Sequence, residues 1–97
     1  MIVVSLSYKV PLDVVEFHLP AHVEWLNAGY AQGLFIASGR KSPRTGGIIL
    51  SASTPEEVKA AVERDPFNIN GVADFDIEEF VPTKVAEGYE ALLPVTE

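Results

Sequence analysis

Residues 34–53, LFIASGRKSPRTGGIILSAS, decide how this chain is folded. Two apolar, β-prone runs flank a tip rich in Gly, Pro and charge. Leu34 to Ala37 is therefore predicted to be a strand that ends at Gly39, and IILSAS (48–53) the next strand, with RKSPRTGG as the loop of a long-tipped hairpin. Before the hairpin, Gly33 suits a helix C-cap. The preceding residues carry Val23, Leu26 and Tyr30 at the three-and-four spacing of a buried stripe, flanked by His22 and Ala31, while Glu24, Asn27 and Gln32 point elsewhere. Pro20 has no amide hydrogen and would clash with the carbonyl four residues earlier, so the main helix is predicted at about 20–32 with Pro20 in its first turn. An irregular approach with a short helical turn at 12–17 leads into it. The β-branched and aromatic run at 2–9 reads as the first strand, ended by Pro11.

After the hairpin, TPEE (54–57) starts a helix, with Thr54 as N-cap, Pro55 at the first helical position and Glu57 closing a capping box. Val58, Ala61 and Val62 form its apolar face, and it should end before Pro66. DPFNINGVA (65–73) is a turn-rich connection. DFDIEEFV (74–81) is the fourth strand, with Phe75, Ile77 and Phe80 inward and a bulge at Glu78 and Glu79. The tail from Pro82 carries Tyr89, Leu92, Leu93 and Val95, much apolar surface for a loose end. The order strand, helix, strand, strand, helix, strand predicts an α+β fold of the ferredoxin-like, split βαβ kind. That is a four-stranded antiparallel sheet with both helices on one face. The other face needs a cover and no third long amphipathic helix exists to supply it, so a homodimer is expected, with 83–97 as a C-terminal extension packing at its interface.

Ninety-seven residues suffice for one domain, 1–97, burying ~60 to 65% of its extended-chain surface. The absence of cysteine excludes a disulfide framework and a cysteine nucleophile, and two histidines with carboxylates are a poor set for a closed zinc site. No cofactor and no metal are expected. Fourteen acidic against seven basic residues, a formal charge of −7, repel a phosphate backbone, so nucleic acid is not expected as a partner. The opening MIVVSLSYKV lacks a basic leader and a length near ~20 residues, so it is predicted to be neither an export signal nor a membrane span, and the chain to be cytoplasmic.

His22 is the first candidate for chemistry, because only an imidazole has an unperturbed pKa near neutrality. It lies at the edge of the sheet-facing stripe, where it could open into a pocket or be a half-buried histidine bonded to a nearby carbonyl. His18 sits in the irregular approach, where a surface or capping role fits. Asp65, at the C-terminal end of the second helix, is poorly matched to the helix dipole and needs a partner. One partner would be an imidazole on the neighbouring helix; the other reading is an Asx turn accepting from the amides of Phe67 or Asn68. Arg40, Lys41 and Arg44 form a basic knot on the hairpin, fit either to receive a small carboxylate or phosphate or to pair with acidic neighbours. Ser38 has no adjacent histidine and no nucleophile-elbow pattern.

Taken together, LPAHVEWLNAGYAQGLFIASG, GGIIL and STPEEVKAAVERDPF resemble the YCII-related family over residues 2 to 82. The carrying elements are the helix histidine before an apolar stripe, the Gly that ends the second strand, and Asp-Pro-Phe after the second helix. The resemblance implies a ferredoxin-like fold paired into a dimeric α/β barrel, with His22 and Asp65 as the active-site pair. A few relatives are similar to dehydrochlorinases of hydroxylated chloro-aromatics. Members often have proline after the glycine that ends the second strand, where this chain has Arg40.

On that basis Asp65 would orient His22, whose other ring nitrogen takes a proton from a small enol, phenol or lactone in a metal-independent isomerisation or elimination. Ser38, Gly39, Arg40, Tyr30 and Phe35 are the expected substrate-binding residues, with Arg40 or the Gly39 amide stabilising the developing charge, and the ligand is expected to be small and anionic or phenolic. The competing readings are a binding module that keeps the pocket without turnover, and a metal-dependent oxygenase that would need His18, His22 and a carboxylate to converge.

Overall fold

The computed structural model describes residues 1–94. Strand β1 (Ile2–Tyr8) places Ile2, Val4 and Leu6 in the core and leaves the residues between them on the opposite face, the period-two pattern of a sheet covered on one side. It is followed by α1 (Leu12–Ala31), β2 (Ala37–Arg40), β3 (Gly46–Ser51), α2 (Pro55–Val62), one-turn α3 (Pro66–Ile69), β4 (Ala73–Glu79) and a 3-10 turn at Glu90–Leu92. β1 pairs antiparallel with β3 and β4, and β2 with β3, so the strand order is β2-β3-β1-β4. This is the order expected of the split βαβ arrangement. Val15 of α1, Val58 and Val62 of α2 and Phe67 of α3 close the core against the inner face of the sheet.

The expected barrel is overturned. The sheet is open and uncurled, ending at β2 and β4, and the outer edges of these strands pair with no strand among the described residues. Closing a sheet requires its first and last strands to tilt until they come within hydrogen-bonding distance. Four strands, one of them only four residues long, do not achieve that. The architecture is therefore an open four-stranded α+β sheet of ferredoxin-like topology and not a dimeric α/β barrel.

Helix α1 also departs from expectation, since it is one 20-residue helix with Pro20 inside it. Its buried line is Val15, His22 and Gly29, with His18, Leu19, Trp25 and Leu26 half-buried between them. Pro20 and Glu16, the two residues whose backbone bond the proline ring abolishes, are both exposed, so water can satisfy the freed carbonyl and the helix continues. The buried stripe is thus centred on His22; Val23 and Tyr30, expected inside, are 40% and 39% exposed. Gly29 is where the connection to β2 packs against the helix: a Cβ there would run into the ring of Phe35. Leu34 and Phe35, expected in the strand, are instead buried in that connection, and β2 begins only at Ala37.

The hairpin is present but shifted, with β3 starting at Gly46 and ending at Ser51. Thr54 caps α2 as expected, its hydroxyl accepting from the Glu57 amide at 3.2 Å. Strand β4 keeps an unbroken register, Glu79 opposite Ile2 and Glu78 opposite Val3, so the expected bulge is absent and Phe80 lies beyond the strand, 51% exposed. In the tail, Tyr89, Leu92 and Leu93 are exposed; Val95 lies outside the described residues. No helix is long and apolar enough to cross a membrane among the described residues.

Candidate active site

The turn after α2 builds the site. Asp65 is the N-cap of α3, where its Oδ1 accepts from the Phe67 amide at 3.0 Å, and Pro66 supplies the preset φ of the first helical position. A carboxylate at a helix start has favourable electrostatics, so the mismatch expected from placing Asp65 at the end of α2 does not arise. The same Oδ1 accepts from Nδ1 of His22 at 2.8 Å. The Asx cap and the histidine partner, posed above as alternatives, are therefore one arrangement. Asp65 is fully buried, and its Oδ2 has no hydrogen-bond partner.

Because an ionised carboxylate only accepts, the pair assigns the hydrogen to Nδ1 of His22 and leaves the lone pair on Nε2. The ring is held from two further sides. Phe67 lies parallel to it, centroids 3.9 Å apart with planes 4° from coplanar, and Trp25 stacks at 5.5 Å. Trp25 is itself tied to α2 through its indole N–H, which donates to the Ala61 carbonyl at 3.0 Å.

His22 borders a cavity of about 280 Å³ between α1 and the β2–β3 side of the sheet, which Ser38, Gly39 and Arg40 border from the strand side. Leu6, Leu19, Leu26, Ile49 and Phe67 supply apolar walls. Asp65 does not line it; it stands behind His22. Tyr30 reaches the rim through its hydroxyl, 2.7 Å from Ser38 Oγ. Phe35 borders a separate cavity of about 100 Å³ with Trp25 and Gly29, on another side of α1. The structure thus brings His22, Ser38, Gly39 and Arg40 to one cavity, sets Asp65 and Tyr30 one step behind it, and leaves Phe35 away from it.

Phe67 and Trp25 were not singled out from sequence as site residues. A signal existed for each: Phe67 follows Asp65 at the two-residue spacing of an Asx cap, and Trp25 follows His22 by one helical turn. His18 is half-buried, edge-on to Phe17 at 5.0 Å. No three His, Cys, Asp or Glu side chains converge to hold a metal among the described residues, so the carboxylate that the oxygenase reading requires beside His18 and His22 is not in place.

Comparison with known proteins agrees with this topology. Residues 1–81 match the YCII-related domain. No curated protein matches the chain. Among solved structures, the chain is similar to 5-chloro-2-hydroxyhydroquinone dehydrochlorinase from Burkholderia phenoliruptrix in complex with 2,5-dihydroxybenzoquinone. The TM-score is 0.66 at 22% identity, over 82% of this chain and 93% of that one.

Proposed function

The chain belongs to the YCII-related domain family, and on that premise we propose that it is a metal-independent lyase or isomerase in which His22 and Asp65 move a proton on a small enol, phenol or lactone. One observation carries this reading: Nδ1 of His22 is committed to a buried carboxylate at 2.8 Å while Nε2, free of protein partners among the described residues, belongs to a ring that borders a cavity. In that geometry Nε2 is a general base, and the imidazolium formed when it takes a proton is stabilised by Asp65. In an isomerisation the proton is returned at another carbon. In an elimination the electrons of the broken C–H bond form the new double bond as the leaving group departs as an anion.

A volume of about 280 Å³ suits a molecule of one ring, and the solved relative was captured with a one-ring ligand. Ser38 borders the cavity from the strand side, and its hydroxyl stands where a developing oxyanion needs a donor. We also propose a homodimer that buries the apolar side chains of the extension from residue 83 onward; the exposure of Tyr89, Leu92 and Leu93 supports it.

The test is a turnover screen of small enols, lactones and hydroxylated aromatics. Wild type should convert at least one of them, and His22→Ala should lose roughly 10²- to 10⁴-fold in kcat while remaining folded. Ligand binding of equal strength in both proteins, with turnover in neither, would favour a binding module over an enzyme.

A further inference from the structure

We propose that the molecule bound in this cavity carries a carboxylate and that Arg40 is the specificity residue that receives it. The inference rests on the cavity being a substrate site, as proposed above, but not on His22 being a working base. Directly opposed residues of an antiparallel sheet share a face, so Phe75, Leu6, Gly47 and Arg40 form one row across the helix-covered side. Gly47 has no side chain and lines the cavity between Leu6 and Arg40, where a Cβ would come within 3.1 Å of the Gly39 carbonyl oxygen. Ser38 lies two residues earlier on β2, hence on the same face and roughly 6 to 7 Å away. β2 therefore offers a polar strip, a hydroxyl and a guanidinium, across the cavity from the imidazole on α1.

The charges around this strip single out Arg40 among the three basic residues of the hairpin. Arg44 is paired with Glu16 at 3.2 Å, and Lys41 donates to the Ser7 hydroxyl at 3.2 Å. Arg40 makes no hydrogen bond or ion pair among the described residues, and no acidic side chain borders the cavity. In a chain of net charge −7, an unengaged guanidinium beside an apolar cavity is a receptor for an anion brought by the ligand. Its planar fork matches a carboxylate with two parallel bonds, and one cation neutralises one carboxylate where a phosphate dianion would remain half-compensated. The ligand then spans the cavity, its carboxylate on β2 and its reactive hydrogen toward Nε2 of His22.

The experiment compares 4-hydroxybenzoate with its neutral methyl ester by calorimetry and by amide shifts of β2, on the full chain. Wild type should prefer the acid. Arg40→Gln should weaken the acid by roughly ten- to a hundredfold and leave the ester unchanged, with Arg40→Lys recovering part of the loss. Arg44→Gln removes the same unit charge from the same hairpin and should leave the preference for the acid intact. Survival of that preference in His22→Ala would support the inference independently of turnover. Equal binding of acid and ester by wild type, no binding of the acid, or equal losses in Arg40→Gln and Arg44→Gln would each overturn it.

Discussion

At His22 the division of labour between the two ring nitrogens depends on one oxygen atom. Asp65 Oδ1 serves both the imidazole and the Phe67 amide, at 2.8 and 3.0 Å, while Oδ2 is buried without a partner. Two substitutions therefore separate charge from geometry. Asp65→Asn can keep both bonds through its amide oxygen but removes the negative charge that stabilises an imidazolium, so kcat should fall roughly 10²- to 10⁴-fold. The Nδ1–H tautomer of His22, read by nitrogen NMR, should persist in that variant. Asp65→Ala removes both bonds and the cap of α3, leaves a buried amide and ring nitrogen unpaired, and should cost about 1–3 kcal/mol in denaturant unfolding besides the loss of turnover. Retention of full activity in Asp65→Asn would show that the carboxylate only positions the ring. The pairing itself was legible in outline: both residue types and the Asx motif can be read from the letters, whereas the sharing of one oxygen depends on where α1 passes the start of α3.

The helix α1 shows how an element can be misplaced by a correct local rule. Pro20 does break a backbone bond, but the break falls on the exposed side, and the helix runs from Leu12 to Ala31 through it. The buried line then passes through Gly29, which sequence patterning discounts because glycine contributes no apolar side chain. Its role is spatial, since Phe35, 4% exposed, occupies the place a Cβ would take. Gly29→Ala gains about 1 kcal/mol of helix propensity but forces the packed ring aside, at about 1–3 kcal/mol. The overpacking should win, lowering the melting temperature by a few degrees, roughly 4–8 °C per kcal/mol for a chain of this size. In a Phe35→Leu background the penalty of Gly29→Ala should shrink, a non-additivity that thermal melts would reveal. An unchanged melting temperature in the single variant would mean that the connection from α1 to β2 yields freely.

For the whole molecule, the outer face of the sheet and the tail remain without a cover. The radius of gyration is 14.1 Å, above the roughly 12–13 Å of a compact chain of this length, and the longest extent is 46 Å against 26 and 20 Å for the others. Phe80, Val81 and Leu92 border an apolar cavity of about 410 Å³ with Met1 and Leu50. Residues of this kind, exposed at 51%, 66% and 38%, are expected to be buried by a second copy. Sedimentation of the full chain should report a homodimer, and Leu92→Glu should shift it toward monomer without unfolding it. A monomer at every concentration tested would remove the homodimer from the proposal and leave the tail unexplained.

The sequence carried the order of the four strands and two main helices, because hydrophobic period, Gly and Pro act over a few residues, but not α3, which lies where a turn-rich connection was expected. It also determined which residues could do chemistry in a chain with two histidines and no cysteine. Packing established that α1 continues through Pro20, that its buried face is centred on His22, and that the sheet stays open where the family resemblance had implied a barrel. It also decided that Arg40, alone among the three basic residues of the hairpin, has no partner among the described residues while bordering the cavity. These outcomes turn on which side of an element meets solvent and on contacts between residues distant in the chain, such as His22 with Asp65, quantities that no local pattern encodes.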